Sequence, residues 1–167
     1  MYRRSTFLIF LCVSIVYGKH VRKPHKRKLV QREREKLELV HSDVCGPMPT
    51  LSLGGASYFV TFIDDATRKI WVYPIKHKDD ALKSFQKFLA LAENESRKRL
   101  KCLRIGNGGE YVGKAFQDFC DARGINRELT APHNPPQNGV AERANRTIQE
   151  KVLSMLSNAN LTHGFWA

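Results

Sequence analysis

"YFVTFIDDATRKIWVYPI", residues 58–75, is the stretch that decides the fold class. Its two halves, 58–65 and 68–75, are rich in β-branched and aromatic residues and are separated by the short turn DATR at 65–68. Two such runs on either side of a tight turn predict the antiparallel strands of a β-hairpin. The fold is therefore expected to contain a sheet that begins at this hairpin.

The segments around the hairpin extend this sheet and add helices to it. Strands are predicted over 37–44, 100–105 and 125–129, and helices over 78–98, 113–124 and 140–160. Asp79 or Asp80 is expected to cap the first helix, and Gly124 is expected to end the second. Three strands followed by alternating helices and strands predict an α/β fold, with a mixed five-stranded sheet flanked by helices.

The last predicted helix has an apolar side and a polar side. The apolar side, expected to face the sheet, consists of Val140, Ala144, Ile148, Val152, Met155 and Leu156. The polar side consists of Glu142, Asn145, Arg146 and Gln149, which recur at helical spacing. In the hairpin, Trp71 and Tyr73 are expected to pack in the core and not to stack on bases.

The positive charge is concentrated at one end of the chain. The 167 residues carry a net charge of +12, and residues 1–36 hold 11 of the 28 Lys and Arg but only 2 of the 16 Asp and Glu. This imbalance indicates a polyanionic partner, nucleic acid before a membrane surface. A basic tail that only keeps the chain soluble is the alternative for this segment.

The composition also predicts how the chain is divided. Residues 1–18 carry two arginines and then the apolar run 7–16, which is typical of a signal peptide but too short to span a bilayer. Secretion does not fit the rest of the chain. We expect an apolar N-terminal segment at 1–18, a basic linker at 19–36 and one folded domain at 37–167. The four cysteines form no C-x-x-C pair, so we expect reduced thiols and no complete zinc site.

Five carboxylates are candidates for metal-dependent phosphoryl transfer. Such a site needs two or three carboxylates that meet at strand or helix ends and hold divalent metal ions. The candidates are Asp43, Asp64, Asp65, Glu110 and Glu142. Taken singly, each is as well explained by a turn cap or a solvated charge, and turn capping is favoured for Asp64 and Asp65.

Four motifs taken together resemble one known family. They are "HSDVCGPM" at 41–48, "YFVTFIDDATRKIWVY" at 58–73, "LRIGNGGEY" at 103–111 and "PHNPPQNGVAERANRTI" at 132–148. In this order they are similar to the integrase core of Copia-type long-terminal-repeat retrotransposons, over about residues 37–167. The resemblance implies the ribonuclease-H-like fold, with the C-terminal helices missing. It also implies an activity in which the element's cDNA ends are trimmed and joined to target DNA.

The resemblance also implies the site residues. Asp43 matches the first catalytic Asp, Glu142 matches the catalytic Glu, and both would bind Mg²⁺ or Mn²⁺. The second Asp is expected directly before Asn-Gly-Gly-Glu, where this chain has Gly106. Between Gly106 and Glu142 lie 35 residues, the interval typical of the family. The alignment is thus intact and one carboxylate is absent, so metal binding is expected to be weakened. Rescue by Glu110 is the less favoured alternative.

Further residues are candidates for contacts with nucleic acid, although a plain solvated helix face explains Asn145, Arg146 and Gln149 equally well. Contacts with nucleic acid are expected from Asn138, Gly139, Asn145, Arg146, Gln149, Lys26, Arg27 and Lys28. Asn138 and Gly139 open a helix, whose N-terminus favours phosphate. The expected partner is DNA, both cDNA ends and target, with a possible homo-oligomer, a nuclear location and no membrane.

The two ends resemble incomplete parts of the family. "CVSIVYGKHVRKPH" at 12–25 resembles the end of a pre-integrase zinc module in which Cys12 is kept and Ile15 replaces the second cysteine. Residues 1–18 are therefore either a decayed zinc module or a signal-like segment. "LTHGFWA" at 161–167 resembles the entry into a further helix, whose absence would expose apolar surface.

Three functional hypotheses remain from the sequence. The first is an integrase core that is catalytically impaired, so whether the chain is an enzyme stays undecided. The second is a host-adopted, non-catalytic module that binds nucleic acid. The third is an element fragment with no function of its own. A small secreted protein is supported only by residues 1–18.

Overall fold

The sheet is built around its central strand, β1. The computed structural model describes residues 35–106, 108–130 and 139–167. The strands are β1 (Leu39–Cys45), β2 (Tyr58–Asp64), β3 (Ile70–Ile75), β4 (Cys102–Ile105) and β5 (Asn126–Leu129). The helices are α1 (Ala81–Ser96), α2 (Gly109–Val112), α3 (Lys114–Arg123) and α4 (Gly139–Asn158), with 3₁₀ turns at Lys78–Asp80 and His163–Trp166.

The strand order is β3-β2-β1-β4-β5. β1, β2 and β3 are antiparallel neighbours, whereas β4 and β5 run parallel to β1. A parallel neighbour requires a crossover, and the stretch that contains α1 supplies the one from β3 to β4. The predicted mixed five-stranded sheet with flanking helices is confirmed.

One face of the sheet carries an aromatic core. Phe62 of β2 stacks on Phe88 of α1 with ring centroids 4.5 Å apart, and Phe85 stacks on Phe116 of α3 at 5.1 Å. Trp71 packs edge-on against Phe88 at 5.0 Å. Such aromatic pairs bury a large area and fix the helices against the sheet. The prediction that Trp71 is a packing residue is confirmed, and so is the one for Tyr73, which contacts Phe62.

The turn between β2 and β3 is held by Asp64. Its carboxylate accepts hydrogen bonds from the Thr67 backbone N–H (2.9 Å), the Thr67 hydroxyl (2.6 Å) and the buried Leu37 N–H (2.8 Å). Asp65 binds Arg68 at 3.0 Å and His41 at 3.0 Å. The predicted structural role of Asp64 and Asp65 at this turn is confirmed.

Two details of the helices differ from the sequence prediction. The short helix α2 was missed, because its glycine-rich sequence favours a loop. Asp80 occupies the N-cap position of α1, as predicted, but its side chain makes no cap hydrogen bond to that helix; a 3₁₀ turn precedes the helix, and the Asp80 carboxylate accepts the His77 N–H at 3.1 Å. Gly124 ends α3 in the left-handed conformation (φ 68°), as predicted.

The inward side of α4 also differs from the prediction. Ala141, Asn145 and Leu156 are buried, whereas Met155 is 62% exposed. Val140, Ala144, Ile148 and Val152 are half-buried and Leu156 is buried, so most of the predicted apolar side faces inward, but the prediction that Met155 faces the sheet is wrong. Asn145 also lies on the inward side, because it finds hydrogen-bond partners under the helix.

Apolar surface is exposed between the hairpin and α4. A groove of about 240 Å³ lies there, lined by Met48, Phe59, Val72, Pro74, Ile148, Gln149, Val152, Trp166 and Ala167. Exposed apolar surface near the C-terminal residues was predicted.

Several predictions fall outside the described residues. They concern the segment at 1–18, most of the linker at 19–36 and the loop residues 131–138. Among the cysteines that the structure describes, Cys45 and Cys120 are free thiols. Within the described ranges, no helix has both the length and the apolar character needed to cross a membrane.

Candidate active site

Asp43 lies near the end of β1, on the face of the sheet that α4 covers. It pairs with Thr61 of β2 and is held below α4 by Asn145, whose Nδ2 donates to Asp43 Oδ2 at 2.9 Å. The alternation of β1 places Val40 in the aromatic core and Asp43 on the opposite face. The carboxylate is therefore held between the sheet and a helix.

The surroundings of Asp43 favour its protonated form. Burial is the largest cause, followed by repulsion from the Glu142 carboxylate, with a further contribution from Glu110. The hydrogen bond from Asn145 opposes these effects, and the pKa of Asp43 is raised to about 6. A buried carboxylate whose pKa is raised further by a neighbouring carboxylate is in an electrostatic situation that a bound cation would relieve.

Gly106 lies beside Asp43 in the sheet register. β1 and β4 pair in parallel up to Ser42 and Ile105, so Gly106, the first residue after β4, is the next position opposite Asp43 of β1. Side chains alternate along a strand, and Leu103 and Ile105 point into the aromatic core. A side chain at position 106 would consequently belong to the same face as Asp43.

The chain after Gly106 is anchored by Tyr111 of α2. Tyr111 is 1% exposed, its hydroxyl lies 2.7 Å from the hydroxyl of Ser42, and its carbonyl accepts a hydrogen bond from Arg127 at 3.0 Å. These contacts tie the segment after β4 to β1 and β5. The glycines at 106, 108 and 109 therefore lie in a segment that is held in place on its C-terminal side.

Glu142 lies in the first turn of α4 and is exposed. Its charge acts on Asp43, because it is the second cause of the raised pKa of Asp43. The structure thus brings Asp43, Gly106 and the Glu142 helix to one end of the sheet.

The residues present supply an incomplete ligand set for a two-metal site. Asp43 and Glu142 contribute carboxylates, and Gly106 contributes none. Across residues 35–106, 108–130 and 139–167, no group of three or more His, Cys, Asp or Glu is placed to hold a metal ion. The residue beside Asp43 in the sheet register is a glycine, which supplies no carboxylate.

The predicted DNA-contacting residues are placed differently from one another. Arg146 is exposed, and Gln149 is half-buried with its Nε2 3.6 Å from Met48 Sδ. Asn145 is only 4% exposed, so the expectation that it shares an exposed polar side with Glu142 is wrong. Gly139 is buried at the start of α4. Asn138, Lys26, Arg27 and Lys28 lie outside the described residues.

Sequence reasoning missed two polar residues beside Asp43. Thr61 is fully buried in β2 and was interpreted only as a strand residue. His41, also buried, donates to or accepts from Asp65 through Nε2 at 3.0 Å, and burial lowers its pKa. Side-chain alternation and strand pairing could have revealed both, because His41 and Asp43 point to the same face of β1 and Thr61 pairs with Asp43.

Comparison with protein families identifies the class. The integrase core domain family matches residues 33–135, which is more than half of the chain. The chain therefore belongs to the integrase core domain family and is similar to the Pol polyproteins of Copia-type retrotransposons. This family generally depends on divalent metal ions.

Individual relatives agree with this assignment. The chain is 52% identical over 155 residues to the retrovirus-related Pol polyprotein from transposon TNT 1-94 of Nicotiana tabacum, covering 93% of this chain and 12% of the relative. It is 38% identical over 130 residues to the corresponding polyprotein from transposon RE2 of Arabidopsis thaliana, covering 78% of this chain and 9% of the relative. The chain thus spans only about a tenth of the length of these relatives.

A solved structure supports the fold. The cryo-electron microscopy structure of the simian T-cell lymphotropic virus intasome, in complex with the regulatory subunit B56 gamma of PP2A, matches with a TM-score of 0.68. The match covers 94% of this chain and 57% of that chain at 17% identity. It confirms the ribonuclease-H-like integrase fold.

Proposed function

We propose that this chain is an integrase core whose metal-dependent DNA processing and strand transfer are impaired by Gly106. Asp43 and Glu142 are the remaining ligands for Mg²⁺ or Mn²⁺, and their affinity for the ions is reduced. The observation that carries the proposal is the β1–β4 register, because it puts Gly106 next to Asp43 on the face below α4.

The expected loss is large. A divalent ion in such a site would stabilise the attacking and leaving oxygens of the phosphoryl transfer. Removing one member of a catalytic unit lowers the rate by at least ~10³-fold, which corresponds to about 4 kcal/mol in the barrier. Glycine offers no side chain in place of the carboxylate.

Replacing the missing carboxylate tests the proposal. Gly106→Asp is expected to bind Mn²⁺ more tightly than the natural chain and to raise strand transfer between DNA oligonucleotides by at least ~10³-fold. Gly109→Asp is the matched control, since a Cβ at Gly109 meets no atom within 4 Å and lies outside the register with Asp43. Equal activity of the natural chain and Gly106→Asp would refute the proposal.

A second candidate function is a non-catalytic module that binds nucleic acid. It is favoured by the basic segment at 19–36, which precedes a nearly balanced folded domain. In this reading DNA contacts come from Lys26, Arg27, Lys28 and from exposed residues of α4 such as Arg146. The salt dependence of DNA binding tests it.

The same assignment supports further proposals on organisation. Residues 19–36 are a basic linker to the integrase core at 37–167, and 1–18 are a separate apolar segment. A nuclear location and assembly into a homo-oligomer on DNA follow if the chain retains the role of its family.

A further inference from the structure

We propose that two copies of this chain associate through β3, which lies at one edge of the sheet. Within the described residues β3 pairs with β2 alone, so the other side of its backbone has no strand beside it. In the proposed contact β3 pairs in antiparallel fashion with β3 of a second copy, and Ile70 of one copy lies opposite Val72 of the other. The inference goes beyond the proposed function, because neither DNA nor a metal ion takes part in the contact.

Hydrogen bonds at both ends of β3 show which backbone groups face outward. The Lys69 carbonyl accepts from the Asp64 N–H at 3.1 Å, and the Ile75 carbonyl accepts from the Ser57 N–H at 3.2 Å. The odd-numbered residues of β3 therefore direct their backbone groups toward β2. The even-numbered residues alternate with them and direct their backbone groups to the open edge.

Two of the three even-numbered residues can both donate and accept at this edge. Ile70 and Val72 each present an N–H and a C=O there, whereas Pro74 presents only a C=O because proline has no N–H. The side chain of Ile70 is 42% exposed and that of Val72 is 43% exposed. An edge with unpaired backbone groups and exposed β-branched side chains is a template for a further strand.

Two-fold symmetry makes this edge complementary to itself. When Ile70 lies opposite Val72 of the second copy, each residue donates to the other and accepts from it, and the symmetry repeats the pair. Trp71 then faces Trp71 of the second copy at the axis, and aromatic cross-strand pairs are favourable. The result is one continuous sheet with five strands from each copy.

Proline and charge favour this register over the neighbouring one. Placing Val72 opposite Val72 of the second copy would put Pro74 opposite Ile70, whose carbonyl would then face a residue without a donor. It would also put Arg68 opposite Lys76, and like charges directly opposite each other are destabilising. In the proposed register Arg68 lies opposite Pro74, so this repulsion does not arise.

The alternative is that β3 is an edge protected from pairing. Proline and lysine commonly protect an edge, and Pro74 and Lys69 are the candidates here. Pro74, however, lies near the end of the strand and leaves the backbone groups of Ile70 and Val72 open. The Lys69 ammonium is bound to Glu95 of α1 and is thus drawn toward that helix. A protected edge predicts a monomer.

Oligomeric state and amide protection test the proposal on the natural chain. Sedimentation velocity from about 1 to about 100 µM, without DNA or metal ions, is expected to show a monomer converting to a dimer. Hydrogen exchange followed by NMR is expected to slow at the Ile70 and Val72 amides as the dimer forms. The Trp71 amide, which faces β2, is the internal control. A monomer throughout, or a dimer without slower exchange at Ile70 and Val72, overturns the proposal.

Matched substitutions at the two edges of the sheet give a second test. Val72→Lys places a charge in the contact and should weaken dimerisation by at least about 10-fold. Leu129→Lys is the control, because Leu129 is 46% exposed and lies on β5 at the opposite edge. Thermal unfolding verifies folding, and Ile70→Lys replaces Val72→Lys if that variant does not fold. Equal dimerisation of the two lysine variants overturns the proposal.

Discussion

At the scale of single residues, the site contains a carboxylate whose ionised form is unfavourable. Asp43 is largely buried beside Glu142, and its pKa is raised from 3.8 to about 6. A group whose pKa is higher in the folded than in the unfolded state binds its proton more tightly when folded. Without a bound cation, the ionised form of Asp43 therefore opposes folding.

The first prediction concerns the pH dependence of stability. Asp43→Asn should raise the free energy of unfolding in chelator-containing buffer by about 1–3 kcal/mol at pH 7.5. Below about pH 3 Asp43 is protonated in both states, so the difference should grow from about pH 3 to pH 6 and then level off. Urea unfolding at several pH values measures it.

This comparison also separates the contribution of Asp43 from that of the buried His41. Burial lowers the pKa of His41, which makes stability rise with pH up to the ordinary pKa of histidine. That contribution is present in both proteins and cancels in the difference. A difference that stays constant from pH 4 to pH 8 would contradict the assigned pKa of Asp43.

At the scale of elements, the hairpin and α4 show how much of the fold the sequence predicts. The hairpin was predictable because both its strands and its turn residues are encoded locally. The burial of Asn145 in α4 was not, since a buried Asn is disfavoured by hydrophobic patterning and is explained only by Asp43 and Thr61. Those partners are 102 and 84 residues away in the sequence.

The candidate site was predictable to the same extent. Asp43, Gly106 and Glu142 were identified from motif resemblance and spacing. The β1–β4 register adds that Gly106 lies next to Asp43. The position of Thr61 next to Asp43 depends on strand pairing, and the inward orientation of Asn145 depends on how α4 packs on the sheet. Neither is determined by short-range sequence.

The second prediction tests which residues near the end of α4 face the sheet. Leu156→Ala should destabilise the chain by about 2–4 kcal/mol, since Leu156 is 7% exposed. Met155→Ala should change stability by less than about 0.5 kcal/mol, because Met155 faces solvent. Denaturant unfolding of both variants measures the loss of stability. Equal losses would mean that Met155 faces the sheet, as the sequence predicted.

The third prediction concerns the β2–β3 turn. Asp64→Ala should destabilise the chain by about 2–3 kcal/mol, because it leaves the buried Leu37 N–H without its acceptor. Asp79→Ala, at an exposed position, is the control. Thermal unfolding compares the two, and a negligible effect of Asp64→Ala would show that this carboxylate does not hold the turn.

At the scale of the whole molecule, charge is divided between two parts of the chain. Most of the net charge of +12 lies in residues 1–36, whereas the remaining residues are nearly balanced. On the folded part, acidic partners neutralise several basic groups, as Glu35 does for Lys98 at 3.2 Å and Glu93 for Arg123 at 2.6 Å. Binding of a polyanion is therefore expected to depend mainly on the N-terminal segment.

The fourth prediction follows from that division. The logarithm of DNA affinity should fall with the logarithm of salt concentration by ~0.9 for each phosphate contact. Deleting residues 19–36 should weaken binding and flatten this slope, while Arg146→Ala should reduce the slope by about one contact at most. Fluorescence anisotropy over a salt series measures both, and an unaltered slope after the deletion would count against the nucleic-acid-binding module.

The parallel register of β1 and β4 has a consequence for the history of the gene. Glycine codons that end in a pyrimidine become aspartate codons by a single base change. Because the strands, the anchored Tyr111 and the helix of Glu142 all persist around Gly106, such a change would restore a ligand without rebuilding the fold. On the proposed function, loss of the carboxylate at this position is thus a short and reversible step, and the scaffold can be inherited intact without it.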